Sequence, residues 1–429
     1  MREFERTAIL YGPSCTLPSI VPATISPPPT TEPQPNAAIC ADSQALPIVF
    51  LSGGTALTGT SAALMNRGVR VGHILSPFDS GGSSGFLRDA FGIPAIGDVR
   101  SRMLTICCHP ARAAIVAVLG RRLAIDIDDA IARVTLRTIC GELRNGSHAG
   151  LPAALALRIA DDLDAISAAA PAAQLRFSGA SIGNLAIVGG WIRNGRDNLG
   201  AVIDSYATSL EAVGALTLSS EANAHLAATL SDGRRIIGQH RFTAKSGAGV
   251  GASVDHLAIV DNLVDAQGVE VAATPRALSM IQHAAVVCLP VGSLWSSVLA
   301  QLLPNGMSDA LCTSSALRVY VPNPGWDPEQ GELSVEGCVQ RLTDLIATLR
   351  PGTTPSACID IVLLDSAGRY PCGADTARIK AMGITVIETR LGSPVSGVVE
   401  RVDGGSLADA LIELSLRQGR SLAATKPPA

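Results

Sequence analysis

The sequence predicts a three-layer, Rossmann-like α/β fold: a mostly parallel sheet with helices on both faces and a small antiparallel β insertion. Three observations predict it. First, the β-rich run Pro47 to Ser52 stops at Gly53-Gly54 and leads into a helical stretch to about Asn66, then a second β run from Val69 to Leu75. Strand, glycine loop, helix and strand make a βαβ unit, the crossover that parallel strands require. Second, 47% of the 429 residues are hydrophobic but only 3% aromatic and 16% charged. A core of Ala, Val, Ile and Leu follows, as in a buried sheet between alanine-rich helices. Third, the same strand-helix rhythm returns beyond residue 284.

The elements follow in chain order. Residues 1–44, with Pro27-Pro28-Pro29 and further Pro, Thr and Ser, show no helical or strand period and predict a disordered lead-in. Order begins at 45 and a single domain is expected to run to 424. After the second strand, Ser76 to Gly85 reads as a loop and Ser84 to Phe91 as the opening of a helix. A helical segment is expected over about 111–210, with Leu185 to Leu210 read as one helix. A small antiparallel insertion is expected over about 213–243. Its strands are Ala215 to Leu218, His225 to Leu230 and Arg235 to Thr243, with Ser231-Asp232-Gly233 as a tight turn. Strands follow at Ala285 to Leu289, Leu317 to Val321, Ile359 to Leu364 and Ile384 to Thr389, with a helix from Leu294 to Leu303. Residues 425–429 read as a frayed tail.

Composition also excludes partners. A net charge of -4 argues against nucleic acid, whose binding is driven by dense Lys/Arg surfaces. No apolar run is long enough to span a bilayer, and the first residues lack a secretory signal, so a cytoplasmic protein without a membrane partner is expected. The ten cysteines include no Cys-x-x-Cys pair and predict reduced thiols. Cys107, Cys108 and His109 adjoin one another, but a zinc cage wants spaced ligands converging from two segments.

The chemistry is expected in loops. Gly53, Gly54 and Thr55 lie where a strand feeds a helix, and a phosphate there would meet backbone N–H groups and the positive end of a helix dipole. The stretch is neither the dinucleotide fingerprint nor a P-loop, and a tight turn is the alternative. The second loop is more specific: Asp79 at a strand end is followed by Ser80, Gly81, Gly82, Ser83 and Ser84, which offer N–H and hydroxyl donors around one anion. Asp79 suits a metal riding on phosphates, a ribose hydroxyl, or a turn cap. Asp98 precedes a helix and suits an N-cap, while Arg100 and Arg102 suit phosphate or surface ion pairs. Gly292 and Ser293 follow a buried strand and open a helix, a usual ligand position in α/β proteins. His225, His240, Lys245, Trp295 and Trp326 each have a bland reading, as packed, solvated or core residues, beside a role at the site.

These residues carry a resemblance. Ser52-Gly-Gly-Thr55, Asp79 to Gly85 with Leu87-Arg88, and Gly97-Asp98 with Arg100 look like the CofD/YvcK family. The likeness continues at Gly183-Asn184-Leu185, Gly233, Gly238-Gln-His240, Pro290 to Leu294 and Tyr320 to Asn323, so it covers roughly residues 47–325. That family comprises 2-phospho-L-lactate transferases, which build the deazaflavin coenzyme F420, and nucleotide-sugar-binding regulators of carbon metabolism and cell-wall synthesis. The version here is most similar to a CofD-like branch with a kinase-like partner, the GAK system. The resemblance implies that Gly53, Gly54 and Thr55 cradle phosphate and that Asp79 sits at the centre, near Mg2+. It also implies that Asn184 and the loop Pro290 to Ser293 close over a nucleotide or nucleotide sugar. By the same analogy a kinase-like partner is expected, and a homodimer is compatible with it.

Two departures matter. Ala56 stands where the family usually has Gly, and Ser80 where many members have a second acid. Losing that acid weakens the case for transfer more than the case for binding. Two readings therefore stand: a Mg2+-dependent transferase moving a phosphate-linked group from a nucleoside diphosphate donor to a hydroxyl, and a non-catalytic nucleotide-binding regulator. A dehydrogenase is disfavoured because Gly-x-Gly-x-x-Gly is absent after the first strand.

Overall fold

The computed structural model describes residues 46–54, 56–243, 253–368, 370–392 and 401–424. The expected lead-in, Thr55, Lys245 and the expected tail lie outside the described residues. Strands β1 (Ile48–Ser52) and β2 (Val71–Leu75) are joined through helix α1 (Thr58–Asn66), and every residue of both strands is buried. Helices α2 (Gly82–Phe91) and α3 (Gly97–Thr105) follow. The expected helical segment consists of α4 (Arg112–Leu119), α5 (Asp129–Arg144), α6 (Ala153–Ala169), α7 (Ile182–Arg193) and α8 (Leu199–Ser209). The stretch read as one helix from Leu185 is thus two. The chain turns through Arg196 and Asn198, with φ of 65° and 49°. Asn198 then caps α8 by accepting the Ala201 N–H at 3.0 Å.

The boundary of the β insertion needs correcting. Strand β3 (Gly214–Leu218) pairs parallel with β2 as the edge of the main sheet. The insertion is instead β4 (His225–Leu230), β5 (Arg235–Ile237) and β6 (Val254–Val260), antiparallel in the order β5-β4-β6. The tight turn falls as expected, with Gly233 at φ 85° and its N–H on Leu230 O at 2.9 Å. The run expected as strand to Thr243 ends early. Gly238, at φ 96°, turns the chain into the short helix α9 (Gln239–Phe242).

The remaining elements are α10 (Pro275–Gln282), β7 (Val286–Leu289), α11 (Met307–Thr313), β8 (Leu317–Tyr320), α12 (Val335–Leu349), α13 (Pro355–Cys358), β9 (Ile361–Asp365), α14 (Thr376–Ala381), β10 (Thr385–Thr389) and α15 (Gly404–Ala424). Between β7 and α11 the expected regular helix is a π turn, Leu294–Val298, followed by a 3-10 turn, Leu299–Leu302. The main sheet has seven strands in the order β10-β9-β8-β7-β1-β2-β3, with every pairing parallel.

Alternation along the strands builds the three layers. Val49, Leu51, Val287 and Leu289 face a core shared with α10, α11, α12 and the insertion. Ile48, Phe50, Val286 and Cys288 face α1 and α15. The helical segment α4–α8 closes a third core with Leu75, Leu216 and Leu218. Strand order reverses at β1, between β7 and β2, and such a switch point opens a crevice at the carboxyl ends of its strands. Among the described residues no helix is long and apolar enough to cross a membrane.

Candidate functional site

The loops leaving β1, β2 and β7 converge at this switch point on one cavity of about 190 Å³. Gly53, Gly54, Asp79, Asp98, Gly292 and Ser293 line it, so segments more than 200 residues apart meet there.

The β1 loop needs its glycines. A Cβ at Gly53 would lie 2.5 Å from Ser297 Oγ, and one at Gly54 2.8 Å from Asp98 Oδ1. Behind the loop, Arg102 is 1% exposed and donates Nη2 to Gly54 O at 2.7 Å and Nη1 to Ser61 Oγ at 2.8 Å. A weaker contact of 3.4 Å reaches Gly53 O. Because a peptide is planar and trans, a Gly53 carbonyl drawn towards Arg102 turns the Gly54 N–H the other way. Arg102 therefore serves the loop from behind rather than as a surface ion pair. Burial pushes its guanidinium down to about 10, which leaves it charged at neutral pH. The buried His73 lies between Ser52 Oγ (3.5 Å) and Ser61 Oγ (3.4 Å), stacked on Phe50. Burial first, and Arg102 second, hold His73 well below the ordinary histidine value.

In the β2 loop, Asp79 Oδ1 accepts the Gly81 N–H at 3.1 Å. The buried Arg88 donates to Asp79 O at 3.1 Å and also to Ala224 O, tying the loop to the insertion. Ser80, expected on phosphate, instead pairs its hydroxyl with His240 Nδ1 at 2.7 Å and accepts the His240 N–H at 3.2 Å. Ser83 Oγ accepts from Asn184 Nδ2 at 3.0 Å and from Arg122 Nη1 at 3.2 Å. Ser80, Gly81, Gly82, Ser83, Ser84, Arg100, Asn184 and Pro290 stand beside the cavity's lining rather than in it.

The β7 loop is held by carboxylates that the sequence reading missed. Asn323 spans Gly292, accepting its N–H at 2.9 Å and donating to its O at 2.7 Å. Asp327 Oδ2 takes the Leu294 N–H at 3.0 Å. Glu329 Oε2 takes the N–H groups of Trp295 and Ser296 at 3.1 and 2.7 Å, and its Oε1 the Ser296 hydroxyl at 2.6 Å. Both carboxylates are buried, and burial pushes the Glu329 carboxyl up to about 7. The amino end of this turn is filled by the chain itself, and Gly292, Ser293 and Ser297 line the cavity beside it.

Sequence reading also missed Ser76, Gln239, Ser296 and Ser297 in the lining. Gln239 comes from the insertion, and its Oε1 is buried without a partner among the described residues. The resemblance at Gly238-Gln-His240 was the available signal for it. Trp295, 3% exposed, belongs to the core, whereas Trp326 is 68% exposed. His225 is buried on β4, and burial pushes it down to about 4.

The family model described as 2-phospho-L-lactate transferase CofD matches residues 48–392. A putative gluconeogenesis factor of Thermotoga maritima is 25% identical over 277 residues, 64% of this chain and 67% of that protein. One of Deinococcus radiodurans is 24% identical over 387 residues, 87% of this chain and 66% of that protein. The matches thus span about two thirds of the length of these relatives. A solved structure of a UPF0052 family protein from Bacillus halodurans shares the fold, with TM-score 0.62 at 20% identity, covering 85% of this chain and 98% of that one.

Proposed function

The chain belongs to the 2-phospho-L-lactate transferase CofD family, and from that premise we propose that the crevice binds the diphosphate of a nucleotide and transfers a phosphate-linked group to a hydroxyl acceptor. The observation that carries this reading is the convergence of the β1, β2 and β7 loops on one cavity lined by Gly54, Asp79 and Asp98. The Gly54 N–H and the amino end of α2 supply donors for phosphate oxygens, with Arg88 and Arg102 charged behind them. Mg2+ is usually bound through one or two carboxylates plus phosphate oxygens and waters, and Asp79 and Asp98 fit that donor set. Bound there, it would neutralise diphosphate charge.

In the reaction, the acceptor oxygen attacks phosphorus in line and forms the new P–O bond. The bond to the nucleoside monophosphate breaks, and the acceptor's proton passes to the Asp79 carboxylate. The π turn at Leu294–Val298, clamped by Glu329, holds Ser293 and Ser297 at the far wall and restricts how the ligand lies.

A second reading has its own support. Ser80 replaces an acid and is tied to His240, and the relatives are named gluconeogenesis factors. On this reading the same crevice holds a nucleotide or nucleotide sugar without turnover, as a regulator of carbon metabolism.

Thermal-shift titration with guanosine and uridine diphosphates and UDP-sugars, with and without Mg2+, tests binding, since a ligand of the folded state raises its melting temperature. Asp79→Asn and Ser293→Ala are expected to weaken the shift with the unliganded melting temperature preserved. Unchanged shifts in both variants would move the site elsewhere. Release of nucleoside monophosphate on adding a hydroxyl acceptor separates transfer from regulation.

A further inference from the structure

We propose that Cys312 and Cys358 form a peroxide-sensitive thiol pair, in which Cys312 is oxidised first and Cys358 then closes a disulfide with it. The pair lies beside the amino end of β8, whereas the crevice opens at the carboxyl ends of the strands. It is therefore independent of what the crevice binds.

Two short helices bring the sulfurs together. Cys312 stands in the last turn of α11 and Cys358 ends α13. One nitrogen of Arg318, Nη1, donates to Ala357 O at 2.6 Å and reaches Cys312 O at 3.5 Å, so a single guanidinium ties both backbones. The two thiols are hydrogen-bonded to each other, and the Arg350 side chain hydrogen-bonds the Cys312 sulfur. Cys358 also donates to Thr354 O at 3.3 Å. Both cysteines are free and pack against the same core, Cys358 fully buried and Cys312 half-buried. A disulfide needs side chains that face one another from adjoining backbone, and this pair has that arrangement.

The surrounding charges set the order of reaction. Arg350 and Arg318 face Cys312, and each also holds a carboxylate: Arg350 pairs with Asp309 at 3.0 Å and Arg318 with Asp360 at 2.7 Å. The Cys358 hydrogen bond, opposed by burial and reinforced by Arg350 and Arg318, holds the Cys312 thiol down at about 7. The same hydrogen bond, with burial, pushes the Cys358 thiol up. Burial pushes Cys107, Cys108, Cys140, Cys288 and Cys338 up as well. The thiolate is the reactive form, so at neutral pH the half-buried sulfur of the pair is the nucleophile and the buried one keeps its proton.

The oxidant is hydrogen peroxide. The Cys312 thiolate attacks one peroxide oxygen, the S–O bond forms, the O–O bond breaks, and the departing hydroxide takes a proton from solvent to become water. The Cys358 sulfur then attacks the sulfenic sulfur of Cys312. The S–S bond forms, the S–O bond breaks, and the second hydroxide leaves as water with the Cys358 proton. Two thiols and one peroxide thus give one disulfide and two waters. Small thiols reverse the step by exchange.

The test treats the full reduced chain with hydrogen peroxide at neutral pH and follows it by intact and peptide mass spectrometry. The expected product has lost two hydrogens, carries a cross-link between the peptides holding Cys312 and Cys358, and is restored by dithiothreitol. Before oxidation, iodoacetamide should label Cys312 roughly fivefold or more faster than the exposed Cys108, although Cys312 is the less accessible. Cys358→Ser should stop the reaction at the sulfenic acid, trapped on Cys312 by dimedone. Arg350→Gln should slow labelling of Cys312 roughly threefold or more with the melting temperature preserved. Two results on the unmodified protein would overturn the pair: peroxide that oxidises Cys108 or Cys372 and leaves Cys312 reduced, or Cys312 labelled no faster than Cys108.

Discussion

Replacing Glu329 with Gln should remove a pH dependence of stability that the fold imposes on one buried carboxyl. The Glu329 side chain is 3% exposed and caps the turn after β7 through Trp295 and Ser296. Burial raises it from an ordinary 4.5 to about 7, against the hydrogen bonds that favour its charged form. Between those values the folded chain keeps a proton that the unfolded chain has released. Stability therefore falls as pH rises from 4.5 through 7, and the loss is complete above the folded value. At about 1.4 kcal/mol per pH unit, the displacement is worth on the order of 3 kcal/mol. Gln keeps the shape: its carbonyl accepts the Trp295 and Ser296 N–H groups, and its amide donates to the Ser296 hydroxyl. Urea unfolding of both proteins from pH 5 to 8 gives the stability difference, in which other titrating groups largely cancel. The variant should gain on the unmodified protein by ~2 to 3 kcal/mol across that range. A difference flat within about 0.5 kcal/mol would refute the cap as a strained carboxylate.

Three further outcomes follow from packing. Arg102→Met should cost roughly 3 kcal/mol in urea unfolding, because Gly54 O and Ser61 Oγ lose a buried charged donor. The same variant should also weaken the nucleotide-induced thermal shift, since the β1 loop loses its support. The exposed Trp326 and the buried Trp295 should separate cleanly on mutation to Ala: within about 0.5 kcal/mol for the first, ~3 to 5 kcal/mol for the second. Gly189→Ala should destabilise by roughly 3 kcal/mol or more, seen as a lower urea midpoint, because its Cβ would fall 1.8 Å from Asp162 O where α6 and α7 touch.

Much of this protein was written locally. The apolar run at Ile48 to Ser52 with its glycine stop, and the Asp79-Ser80-Gly81-Gly82 break after β2, declare strands and loops within ten residues, and strands occur there. The same holds for β7 to β10, whose short β-branched runs carry their own boundaries. Local pattern could not say which strand pairs with which. Gly214–Leu218 reads like the hairpin that follows it, yet it joins β2 because α8 returns the chain to the sheet edge. Nor could it place the caps and clamps, such as Glu329 on Ser296, Asn184 on Ser83 and His240 on Ser80, 33, 101 and 160 residues apart.

The sequence by itself determined the elements, the apolar faces and the glycine loops, since steric freedom and hydrophobic period act between near neighbours. Only the tertiary structure decided strand order, the carboxylates buried behind the β7 loop, and which hydroxyls the chain keeps for itself. Those depend on polar groups meeting once the core has closed, where a buried donor or acceptor must find a partner wherever the packing brings one.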